Sequence, residues 1–317
     1  MKTPVKVAAY AASLAVFFAA ALWLGGRFDL GAEPTDSPAA DQDGHGTDAD
    51  GGHQGHDEVA EPGGLSVAAE GYRLVPATTM LAADEKTEIS FQIIGPDGEP
   101  VTAFTPQHEK EIHLIVVRRD LTGYQHLHPE TDGSGTWRAP ITFAEAGQYR
   151  IFADFKPEGA DTGLTLGSDV AVAGDYQPID LPAPATSATV DDYEVGLDTA
   201  PVAGEPTTLT LTVSQDGEPV TDLEPYLGAF GHLVTLRDGD LAYLHVHPDE
   251  SETAGPEVSF SSTFPTAGTY RLFFDFQHGD TVRTAEFTVV VAGSNDHTDH
   301  GEDTDDSTSD GHGDDGH

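Results

Sequence analysis

The sequence predicts an all-β protein, two tandem antiparallel sandwiches behind an N-terminal transmembrane helix, and three observations carry that prediction. An internal repeat spans most of the chain, each unit is a series of short alternating apolar runs, and a long uncharged segment opens the sequence.

The repeat sets the domain plan. DGEPVTAF at 97–104 returns as DGEPVTDL at 216–223, and IHLIVVRRDLTGYQHLHPE at 112–130 returns as GHLVTLRDGDLAYLHVHPD at 231–249. AGQYRIFADF at 146–155 returns as AGTYRLFFDF at 267–276. The offset is 119 residues for the first two pairs and 121 for the third, so one folding unit is present twice. The expected organisation is an anchor or signal peptide at 1–28, a tether at 29–63 and a first sandwich at 64–173. A linker at 174–189, a second sandwich at 190–292 and a tail at 293–317 follow.

Inside each unit the apolar residues alternate. ISFQIIG, HLIVV, YRIFADF and SDVAVAG in the first have the partners LTLTVSQ, HLVTL, YRLFFDF and AEFTVVV in the second. A period of two puts successive side chains on opposite faces of a strand. Runs of this length, separated by Asp-Gly, Pro and Gly turns, predict immunoglobulin-like or cupredoxin-like sandwiches of about 100 residues. Tyr149, Phe155, Tyr270 and Phe276 are expected in the cores, with Trp137 a core or rim anchor.

At the amino end, Val7 to Leu24 is an 18-residue run without a charge, long enough for a membrane span. Lys2 and Lys6 precede it, which keeps the short N-terminus cytoplasmic and places the bulk of the chain extracytoplasmic. Ala19-Ala20-Ala21 offers a signal-peptide site, which would release a secreted protein, but Leu22, Trp23 and Leu24 continue the apolar run and favour anchoring.

Composition excludes several functions. Lys and Arg number 14 against 55 Asp and Glu, a formal charge of −41 that repels nucleic acid and anionic headgroups. No nucleic-acid partner is expected. Cysteine is absent, which removes disulfides, zinc–cysteine knuckles, blue-copper sites and thiol nucleophiles. Residues 29–62 hold 10 acids and no base, and 294–317 hold 9 acids and no base. With so little apolar content these stretches cannot form a core and read as disordered. Their His45, His53, His56, His297, His300, His312 and His317 either collect metal weakly or sit in a solvated spacer.

The chemistry concentrates in six other histidines. Asp238-Gly239 lies between two alternating runs and signals a two-residue hairpin turn. Counting outward from it, Arg237 faces Asp240, His232 faces His245, and His247 shares their face two residues on. His113, His126 and His128 repeat the spacing in the first unit. Three neutral imidazoles on one patch suit zinc or copper(II) as metal ligands. The opposing reading is structural: Val234, Leu236, Leu241 and Tyr243 share that face, an apolar company that looks core-facing. Asp154 and Asp275, in the repeated (A/F)DF element, could ligate, fix an imidazole tautomer, or be plain surface charges, the reading preferred while register is unknown. His108 and His278 have no counterpart in the other unit and read as surface residues. Met80 is a weak candidate for a soft axial ligand, and Arg118 and Arg119 read as hairpin-end charges.

The histidine segments, each followed by AGQYRIFADF or AGTYRLFFDF, resemble a family of bacterial exported or membrane-anchored proteins with duplicated H-x12-H-x-H-P β-domains, often described as secreted or heavy-metal-binding. The resemblance covers about residues 64–292 and implies an extracytoplasmic location and a link to metal handling, copper in particular. On this reading the chain is a membrane-tethered binding protein for copper(II) or zinc, serving buffering, delivery or resistance. Its metal ligands are His113, His126, His128, His232, His245 and His247. Its partners are the membrane, through the N-terminal helix, and a metal transporter or metal chaperone. The alternative is a non-catalytic interaction or scaffold protein of the cell envelope with structural histidines. An enzyme, whether a metal-dependent hydrolase or a copper oxidoreductase, has least support, since no separate general base stands at a fixed spacing.

Overall fold

Alternation becomes two tandem β-sandwiches in the computed structural model, which describes residues 62–83, 86–244, 246–248 and 253–294. The N-terminal apolar run, nearly all of the tether, the acidic tail and His245 lie outside those residues, as does the side chain of His247. Among the described residues no helix is long and apolar enough to cross a membrane.

Among the described residues the first repeat has ten strands: β1 (Ala68–Ala69), β2 (Tyr72–Pro76), β3 (Met80–Ala82), β4 (Lys86–Ile94), β5 (Ile112–Arg118), β6 (Gln125–Leu127), β7 (Glu130–Thr131), β8 (Thr136–Thr142), β9 (Gly147–Phe155) and β10 (Leu164–Ala173). They form sheets ordered β1-β2-β4-β8-β7 and β3-β10-β9-β5-β6. The second repeat has β11 (Ser187–Val190), β12 (Tyr193–Asp198), β13 (Pro206–Gln215), β14 (Glu218–Pro219), β15 (His232–Arg237), β16 (Tyr243–Leu244), β17 (His247–Pro248), β18 (Glu257–Thr263), β19 (Gly268–His278) and β20 (Thr281–Val291). Its sheets run β11-β12-β13-β18-β17, with β14 beside β13, and β16-β15-β19-β20.

Each sandwich buries the inward half of its alternating strands. Ile89, Phe91 and Ile93 of β4 enter the first core, and Leu209, Leu211 and Val213 of β13 take the same positions in the second. Tyr149, Phe155, Tyr270, Phe276 and Trp137 are all in the cores, as expected.

Strands β5, β9, β15 and β19 are buried on both faces. Their second face makes a third cluster: Ile115, Val117, Leu121 and Phe152 from one repeat meet Val234, Leu236, Leu241 and Phe273 from the other. The outer faces of two sheets therefore pack together and lock the repeats. Tyr124 stacks on Phe273 at 4.1 Å and 4°, and Tyr243 lies against Phe152 at 5.6 Å. The apolar neighbours of His232 thus face the other repeat, which corrects the expectation that they point into the sandwich core.

The hairpins correct a second expectation. Asp238-Gly239 is not a two-residue turn: Leu241 N donates to Arg237 O at 3.0 Å and Arg237 N to Ala242 O at 3.0 Å. Asp240 accepts from the guanidinium of Arg237 and from Ala242 N, so its side chain caps a longer loop. The register is accordingly Leu236↔Tyr243 and, in the first repeat, Ile115↔His126, two residues from the expected one. A shift of two leaves every side chain on its predicted face. Leu121 and Leu241 adopt positive φ (62° each) at equivalent points of the loops. Both side chains are buried between the repeats, which offsets the strain of a left-handed conformation.

The chain just before the first repeat bridges both sandwiches. Tyr243 N donates to Gly63 O at 3.0 Å, and Gly64 N donates to Thr165 O at 2.8 Å. Buried Arg150 donates to Gly64 O and Leu65 O. Gly167 permits this approach, because a Cβ there would lie 2.0 Å from Gly64 O. Arg118 is buried as well, paired with Asp120 and Glu145, and is no hairpin-end surface charge.

Candidate metal centre

β5 lies between β9 and β6, and its alternation sends Leu114 and Val116 into the core and His113 and Ile115 toward the second repeat. Ile115 pairs with His126, so His126 shares that outer face, and His128 follows two residues later. The rings of His113, His126 and His128 are 5.2, 5.1 and 4.8 Å apart by centroid. One nitrogen from each lies within 4.8 Å of the other two.

For neutral rings, the acceptors they face assign which nitrogens carry protons. His113 Nε2 donates to Gln107 O at 2.9 Å, leaving Nδ1 as a lone pair. His126 Nδ1 donates to Asp275 Oδ2 at 2.9 Å, leaving Nε2 as a lone pair. Those two free nitrogens stand 3.0 Å apart. With the tautomers so fixed they cannot bond each other, and a shared cation or proton is what their arrangement accommodates. His128 Nδ1 is 3.3 Å from Tyr226 Oη, while its Nε2 is buried with no partner among the described residues. A zinc ion with bonds of about 2.0–2.1 Å places neighbouring ligand nitrogens roughly 3.3 Å apart in a tetrahedron. The His113–His126 pair fits that spacing.

The second repeat repeats the start of this pattern. His232 Nε2 donates to Tyr226 O at 2.7 Å, as His113 does to Gln107 O. His232 lies 6.4 and 6.1 Å by centroid from His113 and His126. A cavity of about 40 Å³, room for one ion or water, is lined by His108, His113, His126, Asp154 and His232. His247 pairs through its backbone with Ser261 in the other sheet, so the expected patch of two strands is not kept at that position.

Burial lowers the proton affinity of these rings. Desolvation first, then the neighbouring His126, holds His113 down at about 4. The same two causes bring His128 to about 2, and desolvation brings His232 to about 4. All three are neutral, and therefore ligand-competent, at pH 7.

Two carboxylates underpin the cluster. Asp275 and Asp154 are 2% and 6% exposed, not the surface charges expected. Asp275 accepts from His126, from Tyr124 Oη at 3.3 Å and from Thr284 Oγ1 at 2.6 Å. Asp154 accepts from Tyr243 Oη at 3.4 Å and Thr165 Oγ1 at 3.2 Å. His108 also belongs here, 5.3 Å from His232 by centroid, on a turn with φ of 45°. Met80, 64% exposed on the far edge of its sheet, does not. His278 bonds instead to Tyr193 Oη and pairs with Asp222. Sequence reasoning missed Gln107, His108 and Tyr226. The alternation of (A/F)DF against its core aromatics marks both carboxylates as turned away from the sandwich core, and carries no signal that a second sheet covers that face.

These features define a class: a tandem β-sandwich protein whose repeats meet at a buried imidazole cluster. The chain belongs to the family described as a domain of unknown function (DUF8832), which matches twice, at residues 67–172 and 188–293. No curated protein matches the sequence. Similar solved structures include the FdeC adhesin of Escherichia coli, 16% identical over 72% of this chain and 66% of that one, with a TM-score of 0.23. The D0–D1 domains of intimin are 15% identical over 69% and 97%, at 0.22, and the titin tandem A164–A165 is 12% identical over 69% and 97%, at 0.20.

Proposed function

We propose that this protein binds a divalent transition metal, copper(II) or zinc, at the meeting face of its two repeats, with His113, His126 and His128 as ligands. The supporting observation is the 3.0 Å approach of His113 Nδ1 to His126 Nε2, both lone pairs in the neutral tautomers that their other hydrogen bonds assign, beside His128 Nε2, which has no partner among the described residues. A cation would satisfy the first two where they stand, with His128 closing on it from within 4.8 Å. His232, His245 and His247 are the corresponding set in the second repeat. The apolar run Val7–Leu24 would tether the protein outside the cytoplasmic membrane, where it would buffer, deliver or detoxify metal with a transporter or chaperone as partner.

A second reading, a non-catalytic interaction module with structural histidines, is favoured by the hydrogen bonds that His113, His126 and His232 already make to protein oxygens. Zinc and copper(II) titrations of the full chain and of the His126→Ala/His128→Ala variant separate the two. The metal reading expects a tight site lost in the variant, over weaker tail binding common to both. Identical isotherms leave the structural reading.

A further inference from the structure

The repeats do more than lie side by side at this site. Asp275 is on β19, the cross-strand neighbour of His232, yet its Oδ2 is occupied by His126 and Tyr124 of the other repeat. Tyr226 accepts His232 Nε2 on its carbonyl while its hydroxyl meets His128 Nδ1. Two of the three proposed ligands of the first repeat are therefore oriented by side chains of the second. His128 is held this way although its Nε2 has no partner among the described residues.

We infer that Asp275 and Tyr226 are positioning residues for the first repeat's histidines, so that the cation site exists only in the docked pair of repeats and cation binding tightens that docking. The inference rests on the metal reading above. Its physics is direct. A carboxylate accepting Nδ1–H raises the basicity of His126 Nε2 and fixes its ring, and an ion on Nε2 in turn polarises the N–H toward Asp275. Linkage then requires docking to favour the ion by the same factor as the ion favours docking.

The test uses the full chain, zinc as the probe and a competing chelator. Asp275→Asn, which keeps the shape of the side chain, should weaken zinc binding by about 10–100-fold, the usual effect of losing such a partner. Tyr226→Phe should weaken it less. In a His126→Ala background Asp275→Asn should change zinc affinity no further, because its action runs through that ring; a merely structural role would still add its loss. Zinc should also slow amide exchange in β15 and β19 of wild type and not of Asp275→Asn. Zinc affinity within twofold of wild type in Asp275→Asn overturns the coupling and leaves the metal reading standing. No zinc binding by wild type overturns both.

Discussion

Acidifying the metal-free protein from about pH 7.5 to about pH 5 should destabilise it through the histidine cluster. His113 and His232 titrate near 4 in the folded chain, and an unfolded histidine titrates at 6.5. Between those values the unfolded chain binds protons that the folded chain refuses. The stability these groups contribute is therefore complete above the unfolded value and is lost as pH falls through it toward 4. By pH 5 the loss is about 2 kcal/mol for either taken singly, and with His128 also held low the cluster as a whole loses several kcal/mol. That is comparable to the whole stability of many domains, roughly 5–15 kcal/mol. Urea unfolding with a chelator present, at high salt to screen the acidic surface, measures it. His113→Gln, neutral throughout, should remove about 2 kcal/mol of the fall. Parallel curves for wild type and His113→Gln, within about 0.5 kcal/mol, would refute the burial argument.

Three further outcomes follow from the same geometry. Phe273→Ala empties the stack beneath Tyr124 and should cost about 3–5 kcal/mol in chemical denaturation, with a loss under 1 kcal/mol contradicting a packed interface. Gly167→Ala drives a methyl into Gly64 O and should make the Gly63–Ser66 segment a new site of limited proteolysis, while the wild-type pattern would show the contact is dispensable. Because His113 and His128 stay neutral in mild acid, zinc affinity should fall far less from about pH 7 to about pH 5.5 than the several hundredfold expected for three ordinary imidazoles; competition titrations decide it, and a fall of several hundredfold would contradict the burial of these rings.

Strand identity was legible because repetition and alternation are local properties, and an offset of 119 residues sets both units in one frame. The first histidine triad was legible for a subtler reason. Spacings of thirteen and two residues keep one face under any even error in register, so the misread loop at Asp238-Gly239 did not scatter it. The meeting of the repeats was not legible. HLIVV and YRIFADF are apolar on both sides, and alternation cannot say whether the second side meets solvent or another sheet. For the same reason Asp275 gave no sign of serving a histidine 149 positions away. The change of sheet at His247–Pro248 was equally hidden, since its partner Ser261 lies in a strand whose neighbours sequence alone does not name.

The most direct test is elemental analysis of the full chain isolated from its native cells, beside the His126→Ala/His128→Ala variant prepared identically. The account predicts copper or zinc in wild type in excess of the variant by about one ion per chain, any metal held by the tails being common to both. Equal metal content in the two proteins would contradict it.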